Sequence, residues 1–493
     1  MQKHFKRILA LLLAFACLLT GGTAAFAQTP SEACRDALAY IASAVTAPIV
    51  NPVGGEWAIL ALVRGNAAVA SGYYDGYVNR VKQTLRSNGG VLPGSASRKT
   101  EYSRVVIALS ALGEDVTNFD GYNLLLPLAN FDDVKSQGIL GAAYTLIAFD
   151  TRGWAIPAIA DTAAQATRQK LIDNILDREL AGGGFARLGT TAEADVTAMA
   201  LQALAPYQSD PAFPAVAAVI ANALDALSNI QATNGGFYYD VEGEASESAA
   251  QVVAALASLG IDPATDADFA KAGGNPLTAL LKFQKANGSF NHAAAGTGNV
   301  QMATEQAAYA LAAYERLQSS KTPLYDMSDV PAQLAADKAA KLAAINAVAS
   351  GLAEADYTPA SWAALQSAIT QAISAVNAAA TITQANAVAV PSTSGLVTKL
   401  AAAKAAKIAE IQAVTNGLKQ ADYTAASWSA LQTAITNAVN AVNAAATVEA
   451  ANAVAIPSAS GLVLNPKWWE SPPLPAFLHL ILRIIFFGWI WMR

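Results

Sequence analysis

The chain has 493 residues, 54% hydrophobic and 14% charged, with a formal net charge of −6. That length predicts about two to four domains, and so much apolar material with so little charge excludes a disordered chain. The acidic balance argues against a nucleic-acid partner, and the dominance of alanine makes helix the favoured local state.

The N-terminus reads as a secretory signal over residues 1–27. Lys3, Lys6 and Arg7 supply the charge, Ile8 to Leu19 the apolar run, and Ala25-Phe26-Ala27 the cleavage site. Ala16-Cys17 is a poorer match to a lipoprotein signal. Removing residues 1–27 takes away three positive charges and leaves 28 minus 37, or −9. One cysteine then remains, Cys34, so no internal disulfide can form. No Cys/His cluster has zinc spacing, and no cofactor is implied.

A repeat follows. Gly183-Gly184-Phe185 recurs as Gly235-Gly236-Phe237, and the same 52 residues separate Asp195 from Glu247 and Leu204 from Leu256. Gly288-Ser289-Phe290 opens a further copy, and weaker ones begin near Gly54, Gly89 and Lys135. Each copy runs from a glycine turn into a helix that is apolar nearly all round, so the helix must be buried on every side. Amphipathic helices lie between, as in Gln165–Asp177 and Val216–Ile230. The alternation predicts an all-α fold, an α6/α6 toroid (double helical barrel), over residues 28–328. The glycine turns would then ring one mouth.

Beyond the linker SSKTPLYDMSDVP a second repeat begins, with an offset of 66 residues. It pairs Tyr357 with Tyr423, Trp362 with Trp428 and Pro391 with Pro457. These predict two three-helix modules, 329–400 and 401–465, with Tyr and Trp as core anchors. Residues 466–493 form a C-terminal apolar, aromatic-rich segment. Leu474 to Met492 is 19 residues, about 28 Å as a helix, with Trp468, Trp469, Trp489 and Trp491 at its ends. Arg483 lies in its middle and costs about 2.5–3.5 kcal/mol, which the apolar residues roughly offset. Membrane anchoring through 474–492 is preferred over an interfacial helix or docking on a partner.

The motifs Gln231-x3-Gly235-x-Phe237 and Gln284-x3-Gly288-x-Phe290 resemble the Q-x3-G-x-W/F repeats of terpenoid cyclases and protein prenyltransferases. QMATEQAAYALAAYERL and LYDMSDV resemble the secreted bacterial branch of that superfamily, and DYTxASWxALQxAI resembles the FIVAR modules of bacterial surface proteins. In class II cyclases the middle acid of D-x-D-D protonates an alkene. That resemblance puts Asp195 at the acid's position, beside Glu193, with Val196 replacing the last carboxylate. Alternatively, Thr190 caps a helix with Glu193 at N3, and Asp195 is a favourable first-turn acid. The prenyltransferase zinc ligands and the C-G-E-Q thioester motif are absent.

By repeat position the mouth's ligand-binding candidates are Glu56, Trp57, Glu101, Tyr102, Phe237, Tyr238, Glu247, Phe290, His292, Glu305 and Tyr309. Acids mixed with aromatics suit a sugar, a peptide or a cationic ligand, and the expected partner is a cell-surface glycan, a peptide or a small molecule. The expected protein is an anchored bacterial surface protein whose head binds a ligand without catalysis. The alternatives are a cyclase-like enzyme using Asp195 and a small-molecule carrier resembling the cobalamin binders.

Overall fold

The computed structural model describes residues 28–240 and 243–467; the expected signal sequence over 1–27 and the apolar segment expected to anchor the chain, 474–492, lie outside the described residues. No helix among the described residues is long and apolar enough to cross a membrane. The chain is mostly helical and folds as two compact units. One runs to Leu342 and takes in Ala375–Ala389; the other comprises Ala343–Ser374 and the chain from Val390 onward.

The first unit opens with α1 (Pro30–Ala44), α2 (Trp57–Arg64), α3 (Tyr73–Ser87) and α4 (Thr100–Ala111). Next come α5 (Phe131–Lys135), α6 (Gly138–Asp150), α7 (Arg168–Leu176) and α8 (Ala194–Leu204). Then follow α9 (Val216–Ile230), α10 (Ser246–Ser258), α11 (Pro276–Leu281) and α12 (Val300–Gln318). The even-numbered helices pack in order, α2 on α4, α4 on α6, and so on to α12, which packs on α2. Their sequences require this: every residue of α4 from Glu101 to Ala111 is buried, as is every residue of α10 from Ser246 to Ala257. The odd-numbered α1, α7, α9 and α11 pack outside them and bury one face each.

The repeated glycine has a physical cause. Gly183, Gly235 and Gly288 have φ of 77°, 91° and 86°, where a side chain is strained. An added Cβ would also lie 2.4, 2.5 and 2.3 Å from backbone atoms of Asn222, Asn275 and Asp36 respectively. Each turn thus presses on the next outer element, and the third presses on α1, the first helix. The motif glutamines tie the same joints. Gln231 Nε2 donates to Gly235 O at 2.9 Å and Phe269 O at 3.1 Å; Gln284 Nε2 donates to Ala33 O at 2.9 Å.

The 66-residue repeat reappears as helices Val330–Asn346, Pro359–Ala378 and Ile382–Ala387, then Lys399–Gln412, Ala425–Ala444 and Val448–Asn452. Within the second unit, Ile411, Val442 and Ala451 form a small core. The expectation of aromatic core anchors is corrected here. Tyr423 and Trp428 stack on each other, 6.1 Å apart at 17°, and stay half-buried outside that core. Tyr357 and Trp362 repeat the arrangement at 5.9 Å and 15°. Both pairs sit beside a serine clasp. Thr424 N–H donates to Val463 O at 2.8 Å, and Val463 N–H to Ser427 Oγ at 3.1 Å; Thr358, Val397 and Ser361 do the same.

Candidate functional site

The N-terminal turns of α2, α4, α8 and α10 each carry an acid: Glu56, Glu101, Asp195 and Glu247. Glu305 follows one turn into α12. A helix N-terminus carries about half a positive charge, so helices gathered side by side with their N-termini together need nearby anions. The acids meet that need and also crowd one another.

Glu56, Glu101 and Glu305 converge. Arg104 donates through Nη2 to Glu101 Oε2, and its Nε lies 3.5 Å from Glu56 Oε2, an ion pair too long for a hydrogen bond. Glu56 Oε1 accepts from Asn51 N–H at 3.1 Å and Tyr77 O–H at 3.3 Å. Glu305 Oε1 accepts from Gly54 N–H at 2.9 Å and Gln301 Nε2 at 2.8 Å, while its Oε2 is buried without a partner. Burial pushes the Glu56 carboxyl up to about 7 against the pull of Arg104. Burial likewise raises Glu305 to about 7, with Glu56 adding to it and the Gln301 and Gly54 hydrogen bonds opposing. Both carboxyls hold the loop that leads into α2.

Glu247 pairs with His292: Nδ1 lies 2.7 Å from Glu247 Oε2, which also accepts from Ser246 Oγ at 3.1 Å. Glu247 Oε1 is buried without a hydrogen bond. Asp195 is half-buried and accepts from its neighbour's Val196 N–H at 2.9 Å. Burial raises its carboxyl, opposed by the Val196 hydrogen bond and reinforced by Glu193.

The predicted capping box does not form. Helix α8 starts at Ala194 with Glu193 as N-cap, and no side chain caps it. Thr190 lies four residues before the helix, because Glu193 N–H is taken by Phe185 O at 2.8 Å. Phe237 and Phe290 are fully buried and face the core, so neither lines the mouth. Their loops are pulled inward: Phe290 N–H donates to Thr304 Oγ1 at 2.9 Å, as Phe185 N–H does to Thr197 Oγ1. Tyr102 is 3% exposed and its hydroxyl donates to Gly90 O at 3.2 Å, latching the preceding turn. Tyr238 is 59% exposed on a short hairpin, Tyr238–Asp240 with Gly243–Glu244.

Beneath the acids the interior is occupied. Trp57 lies 5.6 Å from Tyr144 and 5.8 Å from Tyr309, ring centre to ring centre. Gln251 Nε2 donates to Tyr309 Oη and, at 2.9 Å, to Gln306 Oε1; Gln202 Nε2 donates to Gln251 Oε1 at 2.9 Å. Arg104, Tyr144, Gln202, Gln251 and Gln306 escaped the sequence reading. The glutamines carried a signal, a long polar side chain inside an otherwise apolar helix. Among the described residues no group of three or more His, Cys, Asp or Glu could hold a metal ion. No family model and no curated protein matches this chain.

Proposed function

We propose that residues 28–328 form an α/α toroid of the terpenoid cyclase and protein prenyltransferase superfamily, and that its acidic mouth binds a ligand without catalysis. The closed order of the six even-numbered helices supports the toroid, as does the glycine of the third repeat pressing on α1. The observation that carries the binding reading is the filled interior. Trp57, Tyr144, Tyr309 and the three glutamines occupy the space where a polyene would have to fold. Acids and the exposed Tyr238 at the rim suit a surface glycan or peptide. The signal sequence, the two FIVAR-like modules and the apolar tail complete a surface protein held to the outer face of the cytoplasmic membrane.

The cyclase alternative has one observation in its favour: burial raises the Asp195 carboxyl, as a general acid requires. The two readings separate in one experiment. The full chain is screened against envelope glycan fragments and peptides, and separately incubated with linear polyenes. Saturable binding weakened by Tyr238→Ala and Glu247→Gln, without polyene turnover, supports the binding head. Polyene turnover that Asp195→Asn abolishes ends it.

A further inference from the structure

The opposite end of the same helices holds a second cavity, of about 490 Å³, within the size range of small-molecule sites. Asp150, Gln202, Pro206, Ser258, Tyr325 and Asp326 are among its lining. It lies where α6, α8 and α10 end, at Asp150, Leu204 and Ser258. Each C-terminus carries about half a negative charge. Pro206 adds to this, because it has no N–H to offer the Gln202 carbonyl.

The neighbouring helices show how the protein treats such ends. Arg64, in the last turn of α2, donates five hydrogen bonds, to Leu324 O, Thr322 Oγ1, Pro323 O, Asp326 O and Asp329 Oδ1. Arg316, near the end of α12, meets the other Asp329 oxygen at 2.6 Å. Two buried guanidinium groups thus offset the helix ends on that side. On the α6–α8–α10 side Arg168 treats the end of α6 in the same way, donating to Phe149 O at 3.2 Å and to Asp150 Oδ1 at 2.8 Å, and no such cation lines the cavity at the ends of α8 and α10. No Lys, Arg or His lines the cavity among the described residues, and Lys321 lines an adjoining hollow instead. Arg168 is committed to Asp150 at 2.8 Å, and Tyr207 Oη binds the other oxygen at 2.7 Å. The exposed Asp326, whose backbone carbonyl Arg64 holds, and the ends of α8 and α10 therefore face a cavity with no Lys, Arg or His in its lining.

We propose that this cavity binds a small organic cation, with the charged head near Asp326 and the helix ends. The Tyr325 ring and the walls at Ile147, Ala203 and Pro206 hold its apolar part. The site is separate from the acidic mouth and does not depend on the mouth's ligand.

The test titrates the full chain with choline and with 3,3-dimethylbutan-1-ol, its neutral isostere, followed by calorimetry. Choline should bind saturably and the alcohol at least tenfold more weakly. Asp326→Asn keeps the oxygen that accepts from Ser328 N–H and should weaken choline five- to tenfold. Ser209→Trp, at an exposed rim position, should abolish binding by filling the entrance. Asp195→Asn, at the mouth, should change nothing. Equal binding of choline and the alcohol would overturn the proposal. So would the absence of saturable binding by choline, tetramethylammonium and benzylammonium, or weakening by Asp195→Asn and not by Asp326→Asn.

Discussion

The two ends of the six buried helices solve opposite electrostatic problems with different economy. At the N-terminal end five acids answer the positive helix ends, and burial raises two of them, Glu56 and Glu305, to about 7, with a neighbouring acid adding to each. At the C-terminal end three arginines answer the negative helix ends, Arg64 and Arg316 at α2 and α12 and Arg168 at α6, and the ends of α8 and α10 face the cavity without one. Burial disfavours the Asp329 charge, yet hydrogen bonds and charge from Arg64 and Arg316 hold its carboxyl below the usual range. One end is thus over-supplied with counter-charge and the other under-supplied.

The comparison can be broken most directly through packing. Phe237→Ala should cost about 3–5 kcal/mol, because the ring is fully buried. A melting midpoint lowered by roughly 10 °C, with mouth binding retained at low temperature, would place Phe237 in the core and not on the binding surface. A small change in midpoint with loss of binding would return it to the rim.

Arg64→Met tests the other end. It leaves Asp329 and three loop carbonyls short of a donor, and a cost of about 3 kcal/mol is expected. Calorimetry should show this loss at all pH values from 5 to 8, since Asp329, its carboxyl held below the usual range, stays ionised there.

Glu305→Gln sharpens the contrast through pH. A carboxyl raised from 4.5 to about 7 binds its proton more tightly in the fold than in the unfolded chain. Its favourable contribution is complete below 4.5 and is lost as pH rises from 4.5 through 7. The parent melting midpoint should therefore fall between pH 5 and 8, and Glu305→Gln should fall less, by a few degrees. Parallel curves for the two proteins would contradict the raised carboxyl.

Asp195→Asn has the smallest expected effect. The amide keeps an oxygen for Val196 N–H, so stability should stay within about 0.5 kcal/mol.

Periodicity makes the helices and their buried faces legible in the sequence. The all-apolar runs at Val105–Leu109 and Val252–Leu256 can only be buried, and Val216–Ile230 can only lie on a surface. The 52- and 66-residue offsets likewise marked the repeats. Local rules failed at Thr190, where a cap motif lost to a tertiary contact: Phe185 O takes Glu193 N–H and delays the helix to Ala194. They failed again at Tyr423 and Trp428, where a pattern of aromatics says that they pack but not on what.

The candidate site was legible only by repeat position. That position located Glu56, Asp195 and Glu247 at helix starts, because a glycine turn followed by an apolar run is a local pattern. It could not find Arg104 between Glu56 and Glu101, nor the Gln202–Gln251–Gln306 chain. Those side chains come from different helices, and their meeting depends on how the helices close on one another. Nor could it find Arg64 meeting Asp329 across 265 residues of chain. By itself, then, the amino-acid order determined which segments become helices and which of them are buried, since both follow from neighbours within a few turns. Tertiary structure alone decided which charges share a dielectric, and so which carboxyls are raised and which helix ends are left without a counter-charge.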